Sequence, residues 1–266
     1  MDYIEMNREE RYFCFLLGHA LLTSITFREH FCEKIDLPSG NLEVYPEAAW
    51  LRDYWKSLDY ENGGGVGRWR LSASQKENKR EGSRKDGLTR ILHIALNGAD
   101  PNDIEQLLEL NEDFFWSKGV HNQGEILSPG RWPLDKLVYA PLPEKLIRLK
   151  WAFNAKPDLM LVSGNKYRLI EAKVESSEDI YKCGLFRVKQ TKIQELSGEL
   201  ITGLSDFISS EPNIILSRKE GTAEGNISWG TVIDIIEQNK KALDKELDTF
   251  TVDGFLKSPF LREIIR

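Results

Sequence analysis

The chain has 266 residues, of which 41% are hydrophobic and 29% charged, and a formal net charge of −6. That is long and apolar enough to bury a sizeable core, and too acidic for a protein that coats nucleic acid through a uniformly basic surface. Cys14, Cys32 and Cys183 are odd in number and lack CxxC spacing, which argues against a zinc or redox site and for a reducing cytoplasm.

The apolar run from Tyr12 to Ile25 is interrupted by Gly18, His19, Thr23 and Ser24 and follows the charged stretch Arg8 to Arg11, so neither a membrane span nor a signal peptide is expected. Phe13, Leu16, Leu17, Ala20, Leu21 and Ile25 recur at helical spacing. With Asn7 as a cap and Glu9 and Glu10 in the first turn, they predict one long amphipathic helix over 7–28. Pro46 predicts the first turn of a second helix, reaching about Leu58. Gly63, Gly64, Gly65 and Gly67 then open a polar stretch running to Gly87, expected as a long, poorly ordered loop. It lacks the Gly-Lys-Ser/Thr of a phosphate-binding loop. Between Arg68 and Asp86 seven basic residues face three acids, so any local contact with a polyanion is expected there, through Arg68, Arg70, Arg80 and Arg84; a solvated linker is the plainer reading. Helices are predicted at about Leu88–Asn97 and Pro101–Trp116, followed by an irregular, Gly- and Pro-rich segment as far as Pro143.

Beyond Pro143 the texture changes. Leu159–Val162 and Tyr167–Val174 read as strands around a hairpin turn with Gly164 and Asn165 at its centre. A helix is predicted from Leu185 to about Thr202, a short buried strand at Asn213–Ser217, and a last helix, Trp229–Asn239, capped by Ser228. Strands, helix, strand and helix in that order imply a mixed α/β sheet with helices on its faces. His19, His30, His93 and His121 are scattered, which makes a histidine metal site improbable.

A two-residue Gly-Asn loop fixes hairpin register and places Asp158 directly opposite Glu171. Alternation puts Tyr167, Leu169, Glu171 and Lys173 on one face, and Asp158 joins them from across the ladder. Opposed carboxylates would lie with Cβ atoms about 4.5–5.5 Å apart at a cost in stability. A hard divalent cation such as Mg²⁺ would offset that cost, and the lysine would act on water or on phosphoryl charge. Glu77-Asn78-Lys79 shares the acid-x-Lys spacing but sits in a polar run with no Pro-Asp before it.

Through Lys156-Pro157-Asp158-Leu159 and Leu169-Ile170-Glu171-Ala172-Lys173 the sequence resembles the PD-(D/E)XK nuclease superfamily. The resemblance implies a restriction-endonuclease-like fold: a mixed central sheet flanked by helices, here a single elaborated domain. Its parts would be a first core helix (7–28), a large helical and loop insertion before the catalytic hairpin (31–143), a catalytic core (146–239) and a C-terminal extension (240–266). It implies an Mg²⁺-dependent deoxyribonuclease, with Mn²⁺ as substitute and endonucleolytic cleavage expected. Asp158 and Glu171 would bind the metal, the Ala172 carbonyl would add a ligand, and Lys173 would assist the attacking water. Glu10 or Glu9 would complete the site, and Gln190 or Gln194 would match a glutamine on the helix after the motif, although both also suit a plain helix surface. DNA is the implied partner, and a homodimer or protein partner stays open. A nucleic-acid-binding or protein-interaction module with weak or no catalysis is the alternative.

Overall fold

A computed structural model describes residues 10–58, 84–120, 128–134, 143–173, 180–183, 186–208, 213–217, 227–247 and 249–257. In chain order its elements are α1 (Glu10–Thr23), α2 (Ile25–Lys34), β1 (Glu43–Pro46), α3 (Trp50–Ser57), α4 (Arg84–Ala95), α5 (Pro101–Ser117), a 3₁₀ turn (Pro129–Arg131) and α6 (Pro143–Ala152). There follow β2 (Leu159–Ser163), β3 (Lys166–Ala172), β4 (Ile180–Cys183), β5 (Phe186–Lys189), α7 (Gln190–Leu204), β6 (Asn213–Ser217), β7 (Ile227–Ser228), α8 (Trp229–Gln238), α9 (Lys240–Glu246) and α10 (Thr249–Leu256). The chain divides into two compact units, one comprising Met1–Ala48, Pro157–Glu178 and Phe207–Arg266, the other Ala49–Lys156 and Asp179–Asp206. Among the described residues no helix is long and apolar enough to cross a membrane.

The first unit is a mixed α/β structure, a five-stranded sheet of order β1-β2-β3-β6-β7 flanked by helices. Antiparallel pairing joins β1 to β2 and β2 to β3, and parallel pairing joins β3 to β6 and β6 to β7. The central hairpin has the register expected of its turn, with Leu159 opposite Ile170 and Ser163 opposite Lys166. Gly164 takes φ +62° while Asn165 stays at negative φ, the combination a type II′ turn requires and one that matches the right-handed twist of the strands. One face of the sheet, Leu159, Leu161, Ile170, Ala172, Ile214 and Leu216, is buried in a core with α1, α2 and the C-terminal helices.

Phe13, Leu16, Leu17, Ala20 and Leu21 of α1 are fully buried in that core, as their spacing predicts. Each of the larger of these side chains contributes about 1.5–3 kcal/mol. Phe13 meets Trp229, which in turn meets Phe255. Ile25 does not join them and is 59% exposed, because the predicted single helix breaks at Ser24. Ser24 adopts an extended backbone and accepts from the Phe27 amide at 3.0 Å, starting α2 afresh. Pro46 also departs from expectation. It closes strand β1 opposite Leu159, at the sheet edge, where the missing N–H is tolerated, and the helix starts only at Trp50.

Both ends of α2 are tied to distant segments. At its start, Thr26 donates its amide and hydroxyl to Glu246 at 3.0 and 2.8 Å, and the Ser24 hydroxyl donates to the same carboxylate. At its end, the buried guanidinium of Arg168 donates to the carbonyls of Ile35 and Asp36 at 2.8 and 2.9 Å. A carboxylate at the N-terminus and a guanidinium at the C-terminus both complement the helix dipole.

In the second unit α7 packs against α3, α4, α6 and β5. Asp100 caps α5, with Pro101 in its first turn, as the sequence indicates. In this unit α6, opened by Pro143, and the antiparallel pair β4–β5 are additional to the elements the sequence predicts, and β5 occupies the start of the predicted 185–202 helix. Beyond Asn239, α9 and α10 continue the first unit as helices.

Arg168→Met leaves the carbonyls of Ile35 and Asp36, just past the end of α2, without their charged donor, and is expected to cost about 2–3 kcal/mol, read as a loss of roughly 5–10 °C in Tm. Glu246→Gln tests the other end. The Ser24 hydroxyl, with Thr26 beside it, holds the Glu246 carboxyl below its ordinary value. Its stabilisation is therefore present above the usual carboxylate range and lost as pH falls through the lowered pKa. Chemical denaturation should show a deficit for the variant at neutral pH that closes in acid.

Candidate active site

Of the residues singled out in the sequence, Asp158, Glu171, Ala172 and Lys173 lie at one end of the β2–β3 hairpin. The outermost pair of the ladder is Leu159 with Ile170, so Asp158 stands just outside it. Continued outward, the register would bring Pro157 opposite Ala172. Proline has no N–H to give to the Ala172 carbonyl, and the ladder stops. The Ala172 amide turns instead to the Asp158 carboxylate, donating to Oδ2 at 2.8 Å, while the Lys173 amide donates to the Leu216 carbonyl at 2.8 Å on the β6 side. The Pro-Asp pair thus ends one backbone pairing and supplies a carboxylate in its place.

Glu171 and Lys173 share a face of the sheet by alternation, as expected. The Lys173 Nζ donates to Glu171 Oε1 at 2.9 Å, and the two residues are only 8% and 6% exposed. Here the arrangement differs from simple opposition of two carboxylates. Asp158 is offset by an amide and Glu171 by an ammonium, so each acid has a compensating donor within the chain. A buried pair of this kind is costly to break from one side, by about 3–5 kcal/mol.

A further acid, Glu47, stands beside Asp158. Its amide donates to the Asp158 carbonyl at 2.9 Å, its backbone has φ +48°, and its carboxylate pairs with Arg11 at 3.2 Å. Positive φ in a non-glycine residue is uncommon and marks a position held by its surroundings. Glu47 is not legible in the sequence because Pro46 reads as a helix start, although Val44 and Tyr45 carry a strand signal. The Arg11–Glu47 pair also brings the first turn of α1 to the Asp158 end of the sheet. Glu10 opens α1, but its side chain, like the whole of Glu9, lies outside the described residues.

Gln190 and Gln194 are on α7 in the second unit and are both buried, 6% and 3% exposed, so neither is a plain helix-surface residue. Arg68, Arg70 and Arg80 lie outside the described residues, as does the side chain of Arg84 at the start of α4. Among the described residues no group of three or more His, Cys, Asp or Glu side chains is placed to share a metal ion. What the hairpin end shows is the Asp158 carboxylate on the Ala172 amide and the Glu171 carboxylate on the Lys173 ammonium, one residue to either side of Ala172. In comparisons with protein-family models, curated proteins and solved structures, nothing matches this chain.

The Asp158–Ala172 contact makes a prediction that needs no substrate. In chelator, Asp158→Ala strands a buried amide and should lower stability by about 1–3 kcal/mol, whereas Asp158→Asn keeps an acceptor and should lose distinctly less. Urea midpoints of the two variants compare them directly, and equal losses would show that the contact carries no weight.

Proposed function

We propose that the chain is a metal-dependent nuclease of the PD-(D/E)XK type on a restriction-endonuclease-like fold, cutting DNA phosphodiester bonds with Mg²⁺, or Mn²⁺ in its place, in the cytoplasm. The observation that carries the reading is the meeting of Asp158, Glu171 and Lys173 around the Ala172 peptide at one end of the hairpin. The donor set fits the ion: Mg²⁺ prefers hard oxygens and takes one or two carboxylates, leaving the rest of its shell to water and phosphate. Asp158, Glu171 and the Ala172 carbonyl would hold it, with Glu10 or Glu9 as further candidates. When bound, the ion supplies Lewis-acid polarisation of a phosphoryl oxygen.

The side chains have separate roles. Asp158, half-buried and fixed by the Ala172 amide, presents its carboxylate in one orientation without help from substrate. Glu171 holds the Lys173 ammonium in place. That ammonium would donate to the attacking water or to charge growing on the phosphoryl oxygens as the 3′ oxygen departs. Preorganisation of this kind spares the site reorganisation during the reaction.

One observation favours a second reading, a nucleic-acid-binding or protein-interaction module without catalysis. The amide and ammonium already compensate both acids, so the fold does not require an ion there.

Cleavage of supercoiled, linear and single-stranded DNA and of RNA, with Mg²⁺, Mn²⁺ or EDTA, separates the two. Metal-dependent cutting of DNA is expected, lowered at least about a hundredfold in Asp158→Asn and Lys173→Gln. Thermal melts run alongside should show wild type gaining stability from metal, about 2.7 kcal/mol at a hundredfold excess over Kd, and Asp158→Asn gaining little. Cutting that persists in EDTA, or in both variants, would sink the nuclease reading.

A further inference from the structure

The pair β4–β5 in the second unit has two unlike faces. Tyr181 packs its ring against Trp151 of α6, with centroids 4.9 Å apart, and Val188 is 3% exposed. Alternation puts Ile180, Lys182, Arg187 and Lys189 on the opposite face, and all four are exposed. The register sets Lys182 directly opposite Arg187 and Ile180 opposite Lys189.

Like charges placed directly across a ladder cost stability. The inner face already anchors the ribbon on α6, through Tyr181 and Trp151. No acid stands among the four outer residues, although Glu175, Glu178 and Asp179 directly precede the ribbon in a chain whose net charge is −6. Concentrated positive charge on an exposed ribbon, set against an acidic whole, is the mark of a surface that meets a polyanion locally. Arg187 and Lys189 are two residues apart, about 7 Å along the strand, close to the rise of two base steps of a DNA strand. A two-stranded ribbon also has the width that a major groove admits. A single exposed isoleucine among three cations gives little apolar surface for a membrane.

We propose that the outer face of β4–β5 binds the phosphate backbone of duplex DNA through Lys182, Arg187 and Lys189. The choice of DNA as the polyanion rests on the nuclease reading; the binding itself requires no catalysis. In the sequence the basic run from Arg68 to Arg84 overshadows this ribbon, whose second strand reads as the beginning of a helix. Alternation on either side of Gly184, from Ile180 to Lys189, is the signal that distinguishes it.

The test is fluorescence anisotropy of the full chain with a short labelled DNA duplex in EDTA, over a range of KCl. Lys182→Ala/Arg187→Ala is compared with wild type and with Lys192→Ala, an exposed lysine that pairs with Glu195. The double variant should bind about tenfold or more weaker, with a salt slope shallower by about 2, while Lys192→Ala stays near wild type. Its Tm should stay level or rise, because a like-charge pair has been removed. An unchanged affinity and slope, an equal loss in Lys192→Ala, or a wild type that binds only single strands, only RNA or no nucleic acid would overturn the proposal. The nuclease reading is judged apart from it: a protein that binds duplex through this face but never cuts fails only the former, and one that cuts while the double variant binds unchanged fails only the latter.

Discussion

The turn at Gly164 sets the parity of the central sheet, and nearly everything in the first unit depends on that parity. Because side chains alternate with a period of two, a slip of one residue in the β2–β3 register would exchange the two faces of β3. Ile170 and Ala172 would leave the core for the face that carries Glu171, and Glu171 would be driven among Phe13, Leu17 and Leu161. A type II′ turn with glycine at the position of positive φ excludes that slip locally, before any tertiary contact forms. The same parity places Arg168 on the helix side of the sheet, within reach of the end of α2.

Around that sheet, the polar groups that fold into the interior are matched rather than avoided. Arg168 is nearly inaccessible, yet it meets two helix-end carbonyls and the Asp36 carboxylate. Glu246 does the complementary work at the other end of the same helix. Helix α2 is short, and a helix of ten residues is marginal on its own; here its two dipole ends are anchored to β3 and to α9. The candidate site follows the same logic, since Asp158 and Glu171 each receive a donor from the end of β3. The difference is that this second arrangement gathers its oxygens at the end of a strand pairing, where Pro157 has halted the ladder.

What could be read from the sequence was what local chemistry decides. Gly164-Asn165 set the hairpin, Asp100-Pro101 and Ser228 set helix starts, and Asn213–Ser217 has the bounds its apolar pattern indicates. The hairpin register, which puts Asp158 one step beyond Leu159 and across from Glu171, was legible for the same reason. What escaped was decided by partners far along the chain. Pro46 is a helix-starter in isolation and a strand end only because β2 lies beside it, and Glu47 escapes along with it. Ser24 breaks the first helix with help from Glu246, 222 residues away. The compensation of the two acids by Ala172 and Lys173 also escaped, because opposition across a ladder says nothing about what happens one residue beyond its end.

The edges of the sheet have a consequence for how the folded chain meets its own copies. An open sheet edge is a row of unpaired backbone groups that can template another strand. Among the described residues this sheet ends on one side in β1, four residues long and closed by Pro46, and on the other in β7, Ile227–Ser228. Neither offers the long, flat run of donors and acceptors on which intermolecular strand addition is built. Among the described residues this sheet thus gives a crowded solution few templates for cross-chain hydrogen bonding, and association between copies through these two edge strands would proceed through side chains rather than by extending the sheet.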